Sequence, residues 1–264
     1  MRRLCFLWIL ATIAFASCQW GVPHNSKPAI TKDTLLYSYK TISEKAANGS
    51  RKADSACADA EIKYVVFKNQ PKLNDTIVKR LLDAYSVTEK PDGTLQQQAK
   101  NFIEAYEDDT TKTSAAAYSL ESSAKVIRQD SSLVTVEISI YAYAGGAHGN
   151  GEITYINWDT KKNKKISLDD ILISGYKKQL TVVAEKIFRA QEKLSDTSSL
   201  QDYFFKDQKF ALNNNFLITP LGLKFYYNNY EIKPYAAGPT ELAIPYTQIK
   251  SLLRLNAVLS QYHK

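Results

Sequence analysis

The chain has 264 residues, a formal net charge of +7, 44% hydrophobic residues, 23% charged residues and three cysteines. It is too apolar for a disordered tail and too poor in cysteine for a disulfide-stapled miniprotein, so stability must come from a packed core. Two of the positive charges sit on Arg2 and Arg3, and no recognition motif accompanies the others, which excludes a nucleic-acid partner.

Met1-Arg2-Arg3 is a basic start, Leu4 to Phe15 is an almost unbroken apolar run, and Ala16-Ser17 are small residues ahead of Cys18. That layout predicts a secretory signal peptide over residues 1–17, too short for a permanent span. Phe15-Ala16-Ser17-Cys18 resembles a bacterial lipobox, so Cys18 is expected to carry lipid and tether the chain to a membrane. Residues 18–34 are polar, hold Pro23 and Pro28, and read as the lipidated N-terminus and a linker. The expected location is the cell envelope, lipid-anchored and facing the periplasm. With Cys5 in the signal and Cys18 lipidated, Cys57 has no partner thiol and reads as a small buried residue.

Residues 35–43 and 61–68 are expected strands, separated by a polar Ala- and Ser-rich loop. Asn74 is expected to cap a helix that presents Ile77, Leu81 and Tyr85 on one face. A second helix after Pro91-Asp92-Gly93 carries Leu95, Ala99, Phe102 and Tyr106 and ends at Glu107-Asp108-Asp109. In residues 132–144, Val134, Val136, Ile138, Ile140 and Ala142 alternate with polar or aromatic residues, the pattern of a half-buried strand. Ala144-Gly145-Gly146-Ala147-His148-Gly149 then turns the chain, and residues 152–158 return as a second strand. Lys161-Lys162-Asn163-Lys164-Lys165 reads as a solvated hairpin tip, and Ser167-Leu168-Asp169-Asp170 as a capping box. A longer helix places Tyr176, Leu180, Val183, Ile187, Ala190 and Leu194 on one stripe. Residues 215–219 and 223–227 are strands joined by Thr219-Pro220-Leu221-Gly222, a turn with Pro at its second position. Residues 241–245 form a further strand, and residues 246–259 a closing helix with Ile249, Leu252, Leu253 and Leu259 inward. Strands and helices segregate, which predicts an α+β fold with mainly antiparallel sheets, helices packed on one side, and two intimately associated subdomains. Their expected bounds are 35–130 and 131–264.

His148 is the only histidine inside these elements, since His24 lies in the linker and His263 at the end. A transition-metal site needs several converging ligands, so no metal and no cofactor are expected. Gly145-Gly146 would serve as an oxyanion hole only beside a Gly-x-Ser-x-Gly elbow, which is absent, and no phosphate-cradling loop is present. Asp169 and Asp170 are adjacent and point apart. The sequence therefore predicts a binding protein with no catalytic residues. Tyr141 and Tyr143 flank the glycine loop on the strand face opposite Val134, and Tyr230 and Tyr235 crowd the later β section. The candidate ligand-binding residues are Tyr141, Tyr143, Gly145, Gly146, His148, Tyr230 and Tyr235. The commoner arrangement has helices covering the tyrosine face and burying these rings, so their exposure is decisive. His148 is placed to hydrogen-bond across the turn toward residues 230–238.

Two motifs carry a resemblance. One is Tyr143 to Gly149 with Asn157-Trp158-Asp159 and Ile166-Ser167-Leu168-Asp169-Asp170. The other is Phe225-Tyr226-Tyr227 with Tyr230 to Pro239 and Ile244-Pro245-Tyr246. Together they resemble the extracytoplasmic domain family shared by the lysozyme-sensing anti-sigma factor RsiV and the peptidoglycan deacetylase PdaC. That resemblance implies a binding or sensing module for a lysozyme-like protein or a cell-wall glycan, and it carries over no catalytic residue. The sigma-binding segment and membrane helix of RsiV-like proteins, and the deacetylase domain of PdaC-like ones, are not expected here. A structural envelope lipoprotein and a hydrolase using His148 are the alternatives.

Overall fold

The computed structural model describes residues 35–47, 58–85, 93–108, 117–254 and 258–262. The expected signal peptide, Cys18, the linker, His24, Cys57 and His263 lie outside these residues, as does most of the loop before residue 58. The first strands are β1 (Tyr37–Lys45) and β2 (Asp59–Phe67), followed by helices α1 (Pro71–Ala84) and α2 (Leu95–Asp108). Then come β3 (Ser119–Asp130), β4 (Leu133–Tyr143), β5 (Asn150–Asp159) and the two-residue β6 (Lys164–Lys165). These strands form one six-stranded sheet in sequence order, antiparallel except where β2 and β3 run parallel. The parallel pair follows from the two intervening helices, which return the chain to the starting end of the sheet. Alternation buries Ala60 and Ile62 of β2, Leu120 and Ala124 of β3, and Val136, Ile138 and Ile140 of β4. They pack with Leu73, Ile77 and Leu81 of α1 and Leu95, Ala99, Phe102 and Tyr106 of α2 in one core.

The second core is built on α3 (Leu168–Ile171), α4 (Tyr176–Gln191), β7 (Phe216–Ile218), β8 (Gly222–Tyr227) and β9 (Thr240–Pro245). The last three form an antiparallel sheet in the order β7-β8-β9. The two cores meet where β5 lies against β7. The architecture is α+β; the described residues form a mixed sheet of six strands beside a sheet of three, with four α-helices.

Three expectations need correction, and one strand carried no expectation. The helix predicted from Asn74 begins earlier, at Pro71, whose fixed φ suits a first turn. Asn74 does not cap it but closes the end of β2, accepting from the Phe67 amide at 2.8 Å and donating to the Phe67 carbonyl at 2.9 Å. Strand β3 has no strong sequence signal, because Ser-Leu-Glu-Ser-Ser-Ala-Lys is poor in β-branched and aromatic residues; pairing on both sides makes it a strand. The buried stripe of α4 is Tyr176, Leu180, Ala184 and Phe188, with Val183 and Ile187 flanking and Ala190 exposed. Phe188 sets that axis by packing against Tyr203, Phe205 and Phe210 at ring separations of 5.1–5.5 Å. The closing helix is two 3-10 turns, Tyr246–Gln248 and Lys250–Leu252, after which Leu253 bridges to Leu172. Bonds from the Ile173 amide to the Leu252 carbonyl and from the Arg254 amide to the Ile171 carbonyl, both 2.8 Å, draw the chain out of helical geometry. Ile249, Leu252 and Leu259 are nonetheless buried as expected.

The lysine run forms the turn between β5 and β6, with Asn163 at φ 50. Lys164 ion-pairs with Asp170, and the capping box is present in full. Partial burial alone would raise the Asp170 carboxyl, but bonds from Lys164 and from the Ser167 amide and hydroxyl, with the Lys164 charge, hold it at about 2.

Candidate functional site

The glycine loop turns through Gly145 and Gly146, at φ 87 and 97, a region that side-chain-bearing residues rarely adopt. The Tyr143 hydroxyl donates to the Gly146 carbonyl at 3.1 Å and fixes the turn. At Gly149 a Cβ would overlap the end of the Tyr141 ring, with Cε2 only 2.7 Å away, so a side chain there would have to turn that exposed ring aside.

His148 reaches from this loop to the second core. Its Nδ1 lies 2.9 Å from the Gly149 carbonyl, which can only accept, so Nδ1 carries the proton. Nε2 then accepts from the Tyr230 hydroxyl at 3.1 Å. The imidazole stacks on Tyr235 at 4.1 Å and 13°, and Tyr230 packs against Tyr235 at 5.5 Å. Tyr230 holds φ 64 to do so. Both ring nitrogens are engaged, so this arrangement latches the loop to residues 228–238. His148→Ala is expected to cost about 1–2 kcal/mol, from one stack and two partly exposed hydrogen bonds, read as a lower urea midpoint.

The sequence candidates therefore separate. His148, Tyr230 and Tyr235 come together, and His148 with Gly145 and Tyr85 lines a small cleft of about 260 Å³. Tyr141 and Tyr143 lie on the other face of the large sheet, and helices do not bury that face as the commoner arrangement would have it. Tyr141 is 42% exposed and lines a shallow depression with Asp59, Glu61, Lys63 and Glu121. Helices α1 and α2 both pack on the opposite side, and the second sheet covers only the β5 end, where Thr135 and Asn157 are buried.

A larger polar cleft, about 580 Å³, opens between α1, the β5 edge and two loops of the second core. One wall is fixed by Arg80, which ion-pairs with Glu152 and donates from Nε to the Thr154 hydroxyl at 3.0 Å. The opposite wall is Asn213-Asn214-Asn215 with Asn228 and Glu231. Asn228 receives the Ile153 amide at 2.7 Å and donates to the Ile153 carbonyl at 3.1 Å. Asn215 receives the Tyr155 amide at 3.1 Å and donates to the Ile153 carbonyl at 2.7 Å. These side chains pair with β5 as a neighbouring strand would. Asn213 bonds the Tyr226 carbonyl and Glu231, both at 2.7 Å. Asn214 and Lys165 are exposed on the cleft rim. Tyr155 also lines the cleft and packs edge-on against Tyr226; burial, then Glu137, Glu241 and Tyr226, push its phenol above the ordinary range.

Sequence reasoning missed this cleft because five separated segments build it. The one local signal was the asparagine triplet, three planar amides directly before a strand. Among the described residues there is no group of three or more His, Cys, Asp or Glu side chains arranged to hold a metal. No helix among them is long and apolar enough to cross a membrane.

A family model described as protein of unknown function (DUF3298) matches residues 169–247, and one described as deacetylase PdaC matches residues 51–151. The chain is 23% identical over 260 residues to the peptidoglycan-N-acetylmuramic acid deacetylase PdaC of Bacillus subtilis, covering 96% of this chain and 51% of that protein. It is 31% identical over 120 residues to the immunogenic protein MPT64 of Mycobacterium tuberculosis, covering 45% of this chain and 51% of that one. The chain thus spans about half the length of the curated relatives it matches. A solved DUF3298 family structure from Bacteroides fragilis superposes with a TM-score of 0.69 at 25% identity, covering 88% of this chain and 99% of that one. Another from Pseudomonas aeruginosa gives 0.68 at 23%, covering 84% and 96%. The latch joins the two matched segments, His148 lying in the first and Tyr230 and Tyr235 in the second. The cleft likewise takes α1 from the first and its asparagine wall from the second.

Proposed function

We propose that this chain, a member of the DUF3298/PdaC-like domain family, is a lipid-anchored, periplasm-facing lipoprotein of the cell envelope that binds cell-wall glycan without transforming it. The polar cleft between α1, β5 and the asparagine wall carries the reading. Its exposed amide and ammonium, Asn214 and Lys165, suit the hydroxyl, N-acetyl and carboxylate groups of amino sugars. The walls behind them are already held by Arg80–Glu152 and by Asn215 and Asn228, so binding orders few side chains. A relative named for its action on peptidoglycan supports the same substrate class. In this reading His148 is a structural joint and takes no proton from a substrate.

The experiment is co-sedimentation of the purified chain with peptidoglycan. The parent is expected in the pellet, and the Asn214→Ala/Lys165→Ala double variant is expected to bind at least ~tenfold more weakly with an unchanged melting curve. A parent that stays in the supernatant would sink the reading. A lysozyme-like protein is the second ligand, favoured by the exposed carboxylates of Glu61 and Glu121, with half-buried Asp59, around Tyr141, which suit a cationic surface. Glu61→Lys/Glu121→Lys should then abolish capture by immobilised lysozyme and leave peptidoglycan sedimentation intact. Loss of neither ligand with either variant, or binding to neither by the parent, would leave the structural lipoprotein.

A further inference from the structure

The two edges of the six-stranded sheet are treated in opposite ways. At one end the β5 edge is closed by Asn215 and Asn228 side chains, then by β6. At the other end β1 runs nine residues and, among the described residues, has a strand on one side only. Its pairing with β2 sets which groups remain. The Lys68 amide bonds the Leu36 carbonyl and the Ala46 amide bonds the Ala58 carbonyl, so even-numbered residues exchange hydrogen bonds with β2 in this register. The amides and carbonyls of Tyr37, Tyr39, Thr41, Ser43 and Lys45 therefore point away from the sheet. No proline or bulge interrupts them, and among the described residues nothing pairs with them. Long open edges of this kind are normally blunted.

We infer that β1 is an interface, and that its partner is β1 of a second copy of this chain, added antiparallel about a twofold axis through Thr41. In that register Tyr37 faces Lys45 of the copy, Tyr39 faces Ser43 and Thr41 faces itself, so each outward residue exchanges bonds with an outward residue. On the helix-side face, Ser38 lies opposite Glu44 and Lys40 opposite Ile42, with the copy's Glu44 one diagonal step from Lys40. No like charges stand directly opposite. Tyr37 is 43% exposed and Tyr39 44%, so the lysine stem of the copy's residue 45 has an aromatic surface to lie on. Lysines on an isolated edge discourage pairing; in this register both have partners. The result is one continuous sheet through two chains, with the polar clefts at its far ends.

Light scattering during size-exclusion chromatography of the purified full chain is expected to give a dimer. Thr41→Pro removes an outward N–H and leaves the β1–β2 ladder intact, so it should raise the dimer dissociation constant at least ~tenfold without changing the circular dichroism spectrum. Should that variant fold poorly, Thr41→Cys decides the matter. Facing pairs of this type lie ~5.5 Å apart at Cα, so mild oxidation should yield a disulfide-linked dimer. Glu61→Cys, on β2, and the parent with its own cysteines should not. A monomeric parent at high concentration overturns the inference, as do equal cross-linking at residues 41 and 61 and a monomer whose Tyr39 and Thr41 amides resist hydrogen exchange. The last result would mean that the chain itself covers the edge.

Discussion

Gly222→Ala is expected to destabilise the fold by about 3 kcal/mol or more, lowering the melting midpoint by about 10 °C. Gly222 opens β8 directly opposite Pro245 of β9. A Cβ at that position would penetrate the Ile244 carbonyl oxygen and lie 2.8 Å from the Ile244 carbonyl carbon and 2.9 Å from the Pro245 Cα. All three are backbone atoms, so no rotamer change relieves the overlap and the strand itself must shift. That shift strains the Thr219 turn, in which the Thr219 amide and hydroxyl reach the Gly222 carbonyl at 2.9 and 2.8 Å. It also displaces Leu223 and Ile244, both fully buried in the second core. The requirement is purely steric, because Gly222 is not among the glycines with positive φ. Gly93→Ala is the control: nothing lies within 4 Å of its added Cβ, and the melting midpoint should not move. Equal midpoints for the two variants would show that β9 yields freely at Pro245.

Local periodicity made the strongest elements legible. The alternation from Val134 to Ala142 announced β4, the apolar positions from Leu95 to Tyr106 announced α2, and the Thr219-Pro220-Leu221-Gly222 turn tied β7 to β8. Elements that owe their form to distant partners were not legible. β3 is a strand because β2 and β4 flank it, and residues 246–253 leave helical geometry because Leu172 and Ile173 pair with them. The site divides in the same way. His148 was expected to bond toward residues 230–238, and it meets Tyr230 and Tyr235 there. The exposure of Tyr141 depended on where α1 and α2 pack, which its own strand does not encode. The cleft required knowing that Asn215 and Asn228 close the β5 edge, and an asparagine in a loop carries no sign of which backbone it will pair.

The same device reaches its extreme at Asn157, where a second large loss is expected: Asn157→Ala should cost about 2–4 kcal/mol, measured by urea unfolding. Asn157 is 2% exposed at the seam between the cores. Its Nδ2 donates to the Phe216 carbonyl at 2.8 Å, and its Oδ1 accepts from the Ile218 amide at 3.2 Å and the Thr135 hydroxyl at 3.2 Å. One side-chain amide thus satisfies β7 as a neighbouring peptide would, in a place that water does not reach. Alanine removes both functions and leaves three buried groups unpaired, whereas an exposed asparagine such as Asn214 should cost almost nothing. Asn157→Asp separates the donor from the acceptor. When ionised it keeps the acceptor, loses the donor and aims a buried charge at the Phe216 carbonyl, which raises its pKa above the unfolded value of ~3.9. The protonated carboxyl can still donate to that carbonyl. Asn157→Asp should therefore retain most of its stability below the unfolded pKa and lose it as pH rises through the higher folded value, while the alanine deficit should not depend on pH. Parallel pH profiles for the two variants would show that the Phe216 bond contributes little and that Asn157 acts mainly by filling space.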